Sequence, residues 1–252
     1  MKQIALVYST TSIASFNIAK EIENLGTPPW AKLYAFDTDE IDLPLDSVDE
    51  EDLIVLSKHK SAAGTKSFTV HHLGNFGKAD FGGEEKTLVN TTPRISSNLL
   101  RGLQEIAPSE YDVCYEVTHH GPDSKKNICF IELGSSETEW KNKAAAKTIA
   151  KTIIDHTFDK NTDKIVIGLG GGHYAPNFTK LALRQNYSFG HICPVHNLQF
   201  LDKDLLNQMI TKSGATEIIL DWKGLKEYKA KVQELCEQSE LPVERVQRLL
   251  KK

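Results

Sequence analysis

Short apolar runs that alternate with helical repeats constrain this chain more than any other feature. Residues 2–8, Leu33–Phe36, Asp52–Ser57, Tyr111–Val117, Ile128–Leu133, 164–169 and Glu217–Leu220 read as strands, being apolar, aromatic or alternating and too short for helices. Helices are expected between them. Thr11-Ser12 caps one through Glu23, with Ile13, Phe16, Ile18, Ala19 and Ile22 as its apolar stripe. Thr92-Pro93 opens a second, through residue 107. Ser136-Glu137-Thr138-Glu139 has the form of a capping box and starts a long helix to about His156. Pro176 opens another, and further helices are expected at 202–212, 223–238 and 242–250. Strands alternating with helices imply an α/β fold whose mostly parallel or mixed sheet is covered on both faces. No repeat or linker interrupts the pattern, so residues 1–252 are expected to form one domain.

Chemistry is expected where strands end in unusual loops. The strand Tyr111–Val117 runs into Thr118-His119-His120-Gly121-Pro122, and the strand 164–169 runs into Gly170-Gly171-Gly172-His173-Tyr174-Ala175-Pro176. Parallel sheets bring carboxyl ends of strands together, so both loops are expected at one site. Of nine histidines, His59, His71, His72, His119, His120, His173 and His191 fall at strand ends or in glycine-rich loops. Imidazole can move a proton near neutral pH, or bind zinc alone or with a carboxylate such as Glu116 or Glu132; spacing leaves both open. Adjacent residues on a strand face opposite ways, so only one of His119 and His120 can meet a given ligand unless the turn twists. The glycine run is not a P-loop, since no Lys-Ser/Thr follows. It can cradle an anion with its N–H groups or let a ligand approach the backbone. No GxSxG elbow is present.

The charge of −4 argues at first against a polyanionic partner. It is uneven, however. Residues 37–52 hold nine acids and no base, leaving 25 acids against 30 Lys and Arg elsewhere. The acidic segment reads as an exposed connection, and the remainder allows a positive face. Cys114, Cys129, Cys193 and Cys236 form no CxxC pair and read as reduced, buried thiols, which fits the cytoplasm. No apolar run approaches the roughly 20 residues of a membrane helix.

Together these blocks resemble the archaeal- and plant-type D-aminoacyl-tRNA deacylase family. The resemblance rests on Ser57-Lys58-His59, His71-x-x-Gly74-Asn75-Phe76-Gly77-Lys78, Gly82-Gly83, Cys114–Pro122, Ile131–Trp140, Gly170–Pro176, Phe189-Gly190-His191-Ile192 and Asp221-Trp222-Lys223-Gly224. It spans about residues 53–225; His72 and His196 lie outside it. The family implies a three-layer α/β fold similar to peptidyl-tRNA hydrolase and nucleoside phosphorylases. It also implies zinc, and an esterase that frees tRNA from a D-amino acid. Carried onto this chain, it suggests His120, His173, Glu132 and Thr118 as catalytic. His59, His71, Asn75, Lys78, Gly171, Gly172 and Tyr174 would bind substrate. His119, His120, His173, His191 and Glu116 would hold metal. Lys58, Lys78 and the basic tail (Lys223 to Lys252) would meet tRNA phosphates. A monomer is expected. Rival readings are a nucleoside phosphorylase-like transferase, a non-catalytic tRNA-binding module, and a metal hydrolase of a small ester or amide.

Overall fold

The computed structural model describes residues 2–251; Met1 and the tail base Lys252 lie outside the described residues. The elements are β1 (Ile4–Ser9), α1 (Ile13–Leu25), β2 (Ala31–Phe36), β3 (Asp52–Lys60), β4 (Ser67–His71), β5 (Gly74–Asn75), β6 (Thr87–Leu88), α2 (Pro93–Ile106), β7 (Asp112–Tyr115), β8 (Asn127–Ser135), α3 (Glu137–Trp140), α4 (Lys143–His156), β9 (Lys164–Leu169), α5 (Pro176–Arg184), β10 (Tyr187–Cys193), α6 (Lys203–Ser213), β11 (Glu217–Leu220), α7 (Lys229–Glu237), β12 (Val243–Arg245) and α8 (Val246–Leu249). They build two main sheets, ordered β2-β1-β3-β8-β4-β7 and β10-β9-β11-β12, with β5 and β6 as a small separate pair. Every pairing in the main sheets is parallel except that of β4 with β8. The expected three-layer α/β arrangement, a mixed sheet flanked by helices, is what the chain adopts.

Alternation explains the layers of the first sheet. Ile4, Leu6, Ile54, Leu56, Cys129, Ile131 and Leu133 point into one core with α1 and α4 residues such as Ile18, Ile22, Ile149 and Ile153. The opposite face starts apolar with Ala5, Val7, Leu53, Val55, Ile128 and Phe130. Further along β3 and β8 that same face carries Ser57, His59, Glu132 and Gly134. The change from apolar to polar along one face marks where the site forms.

Several local expectations are corrected. The acidic segment is not a plain exposed connection: Leu43, Leu45 and Val48 insert into the second core as its cover. In α1, Ile13 and Phe16 are exposed, and Ser15 is buried instead. Its Oγ donates to Leu56 O and accepts from Ser9 N, which tilts the buried stripe. The capping box is not formed. Glu139 receives the Tyr111 hydroxyl, the helix breaks at Lys141, and Asn142 caps α4 by accepting from Ala144 N and Ala145 N. The expected helix at 242–250 begins as β12, because β11 offers a free parallel edge at Ile218–Leu220.

Candidate active site

Cross-strand register assembles the first part of the site. Glu132 on β8 lies opposite Ser57 of β3 on one side and Thr69 of β4 on the other. Two residues along each neighbour, on the same face, stand His59 and His71. They flank Glu132 at 3.8 Å and 3.4 Å respectively. Ser57 Oγ donates to Glu132 Oε1 at 2.8 Å and fixes the carboxylate. Gly134 makes room, since a Cβ there would meet His59 Cβ at 2.9 Å and Ser67 Oγ at 2.5 Å.

The second part comes from the chain leaving β7. Val117 N–H donates to His173 O and Thr118 N–H to Ile192 O, both at 2.9 Å, which ties this segment to the loop after β9 and to β10. The turn then twists. His120 takes a left-handed φ of +47°, so His119 and His120 both face the site, with ring centroids 4.5 Å apart. His119 also lies 4.9 Å from His173 and 4.3 Å from His71, ring to ring. The two strand-end loops therefore meet, and residues far apart in sequence share one cavity of about 670 Å³. Strand direction is not the reason for every member, because β4 and β7 run against β8.

Two groups of donors result. His71, His119 and His120 offer ring nitrogens within 4.8 Å of one another, and His59, Glu116 and His173 form a second such set. In the first, each Nδ1 is placed against a backbone carbonyl: His72 O at 3.3 Å, Val117 O at 2.7 Å and Gly121 O at 2.5 Å. That geometry puts the Nδ1 proton on the carbonyl side and turns Nε2 toward the shared space, as second-shell partners do for metal-bound histidine. Burial, with the neighbouring His71, pushes His120 down to about 4 and His119 well below the usual imidazole value. Burial opposes charge on His71 too, but Glu132 outweighs it and raises that pKa. The position thus favours a positive charge. Its Nε2 is buried without a hydrogen-bond partner. Three imidazole nitrogens with a carboxylate close by fit a zinc ion.

In the second group Glu116 is wholly buried, and its Oε2 accepts from His173 Nε2 at 2.6 Å. His59 Nδ1 stands 3.0 Å from Oε1 but off the line of a hydrogen bond, leaving Oε1 without a hydrogen-bond partner. Burial alone would raise the Glu116 carboxyl, but His173 and His59 overcome it and hold the pKa well below the ordinary value. For His59 burial works against the charge, and Glu116 wins, raising its pKa. His59 Nε2 is hydrogen-bonded to the Tyr174 hydroxyl at 3.0 Å.

Other expected site residues are placed differently. His191 joins neither group: its Nδ1 pairs with Thr118 Oγ1 and its Nε2 with Val89 O, at 3.0 Å and 2.9 Å. Both nitrogens are used and the ring is fully buried, so the expected metal ligation by His191 is not met. Thr118 is likewise not placed to touch substrate, being buried with its hydroxyl between His191 and Ile192 N. Gly171 and Gly172 do not line the cavity. Gly170 and Gly171 give their N–H groups to Cys193 O and Gly224 O. A Cβ on Gly170 would strike Leu225 and Asp221, so these glycines permit loop packing instead of forming an anion nest. Asn75 lines the cavity, yet its amide donates to Gly82 O and Glu84 O and holds that loop. Lys78 lines the cavity. Lys58 is held by Glu40 at 2.5 Å and Asp39 at 3.5 Å. Among the tail bases, Arg245 stacks on Trp222 and Lys231 caps Leu198 O and Gln199 O. Lys58, Arg245 and Lys231 thus serve the fold.

Sequence reasoning passed over Ser57 and Thr69 as the flanks of Glu132, although strand alternation from His59 and His71 points to them. It also passed over Phe81, Phe200 and His196 in the cavity wall. Nothing local marks Phe200; only packing of its ring on Gly77 brings it there.

Residues 47–244 match the family described as D-aminoacyl-tRNA deacylase. The D-aminoacyl-tRNA deacylase of Methanocaldococcus jannaschii is 39% identical over 242 residues, covering 88% of this chain and 90% of that one. That of Methanococcus maripaludis is 34% identical over 255 residues, covering 95% and 98%. A solved crystal structure of a conserved protein of unknown function superposes with a TM-score of 0.92 at 29% identity, over 100% of this chain and 98% of that one. By sequence along most of its length, and with the same fold in a solved relative, the chain belongs to the D-aminoacyl-tRNA deacylase family.

Proposed function

We propose that this protein hydrolyses the ester between a D-amino acid and the terminal ribose of tRNA, releasing both, and that it works in the cytoplasm. What carries the reading is that His59, His119, His120, Glu132 and His173 converge on one cavity, with His71 and Glu116 buried directly behind them. Glu116, held ionised, keeps the proton on His173 Nε2, so that Nδ1 can accept a proton from water. The side chain of His173 is 39% exposed, open enough to meet that water. His71, His119 and His120 would hold zinc, with Glu132 balancing its charge. When bound, zinc supplies Lewis acidity at the ester carbonyl. An aminoacyl ester is already reactive, so orienting water and favouring the oxyanion suffices. Tyr174, expected to bind substrate, does not line this cavity and reaches the site only through its hydroxyl bond to His59. Among the described residues no helix is long and apolar enough to cross a membrane.

The test is hydrolysis of D-tyrosyl-tRNA and L-tyrosyl-tRNA by the wild type, His173→Ala and His120→Ala, with zinc content measured by elemental analysis. The D-ester is cleaved in preference. His173→Ala loses on the order of 100-fold, the size of a general-base contribution. His120→Ala loses bound zinc as well as activity. Unchanged rates in both variants would remove these residues from the mechanism. Zinc retained in full by His120→Ala would sink the three-imidazole seat.

A further inference from the structure

A second cavity, of about 730 Å³, opens on the other side of Tyr174. It is lined by Thr65, Ser67, Asp112, Cys114, Lys180 and Arg184, among others. Its floor continues the sheet face that carries the active site. Ser67 and Thr69 alternate along β4, and they pair with Asp112 and Cys114 of β7. Tyr174, an exposed residue, joins the two spaces, for its hydroxyl binds the active-site His59 while its side chain forms a wall of the second cavity.

We propose that this cavity is the channel for the unpaired acceptor nucleotides that precede the terminal adenosine. The assignment rests on the deacylase activity proposed above. Three observations support it. First, the charge is right. The wall carries Lys180 and Arg184 against the one carboxylate of Asp112, whereas the active-site cavity carries Asp39, Glu40, Asp80 and Glu132 against Lys58, Lys60 and Lys78. A phosphate chain leaving the ester therefore finds its favourable field past Tyr174. Lys180 and Arg184 are four residues apart on α5 and share one helix face. Neither forms an ion pair among the described residues. Second, the surface suits bases. An exposed tyrosine ring beside Pro176, Val113 and Leu183 offers the aromatic and apolar contact on which single-stranded nucleotides stack, next to cations that follow the backbone. Third, the wall has an unmet polar group. Ser67 is 4% exposed, and its Oγ has no hydrogen-bond partner. The Cys114 thiol in the same wall is pushed up by burial and the nearby Glu116, which disfavours its thiolate.

The channel is tested with two substrates that share the ester and differ in the strand. D-tyrosyl-tRNA and D-tyrosyl-adenosine are compared for the wild type, for the neutralised Lys180→Gln/Arg184→Gln and for the reversed Lys180→Glu/Arg184→Glu. With tRNA, kcat/KM falls by about tenfold in the neutralised protein and further in the reversed one. The dependence of log kcat/KM on log salt flattens by about 1.4, the value for two lost single-strand phosphate contacts. With D-tyrosyl-adenosine all three proteins are equal. Equal losses on both substrates, or tRNA kinetics and salt slope that do not move, overturn the assignment. Failure of the wild type on both substrates overturns the deacylase activity itself, and the channel with it, so the two failures are distinct.

Discussion

His120 holds a left-handed backbone at φ +47° that a β-carbon disfavours. Its contribution is to reverse the alternation that would have turned it away from His119. Gly134 is the converse case, a residue whose missing side chain lets another sit. A Cβ at Gly134 would press on Ser67 Oγ and His59 Cβ, and both lie on the buried face of a strand with nowhere to retreat. Gly134→Ala is therefore expected to displace His59 from Glu116, to lower kcat about tenfold or more, and to cost about 1–3 kcal/mol of stability through overpacking. Steady-state kinetics and urea unfolding read the two effects; a fully active variant would show that His59 tolerates displacement.

At the scale of elements, the acidic segment between β2 and β3 has a task that its charge conceals. Asp46 accepts from Ser124 Oγ at 2.6 Å and from Lys125 N at 2.9 Å. It thereby ties the cover of the sheet to the loop that carries His119 and His120. The Ser124 hydroxyl lowers the Asp46 carboxyl below its usual value, ahead of the opposing effect of desolvation. A depressed carboxyl stabilises the fold above its unfolded pKa, and that contribution disappears as pH falls through the folded value. Asp46→Ala is thus expected to unfold more easily than the wild type at pH 6, with the gap closing below about pH 4. Chemical unfolding at a series of pH values checks this, and a gap that widens on acidification would be the wrong sign. Asp46 is largely open to solvent, so the effect is small.

For the whole molecule, the site exists because two sheets are stitched together beside it. The first sheet supplies His59, Glu132 and His71, and the chain leaving β7 supplies Glu116, His119 and His120. The second sheet's loop supplies His173 and Tyr174. Thr118 and His191 form part of the seam, with Ile192 N–H donating to Thr118 Oγ1 at 3.1 Å. Replacing the hydroxyl by a methyl leaves His191 Nδ1 and that amide without their partner. Thr118→Val is expected to cost about 1–3 kcal/mol. It should lower kcat/KM through a loosened site while leaving the zinc content, if the proposed three-imidazole seat is loaded, equal to that of the wild type. Thermal unfolding and elemental analysis separate this from a catalytic role. An unchanged melting temperature with lost activity would return Thr118 to the chemistry.

Much of the element list was legible, because strand and helix periods are local properties of a sequence. The apolar runs at 2–8, 52–57 and 164–169 and the opening of α5 at Pro176 needed no partner to be recognised. Glu116, His119, His120 and His173 stood out because polar side chains at strand ends have few other uses. What the chain alone could not carry was direction and company. That β4 runs against β8 decides which residues flank Glu132. Whether His191 meets an ion or Val89 O, and whether Lys58 meets a phosphate or Glu40, depends on groups a hundred or twenty residues away. Local pattern fixes which side chains point out of a strand. Only long-range packing fixes what waits there, because burial and pairing energies belong to contacts between segments and leave no trace in either segment by itself.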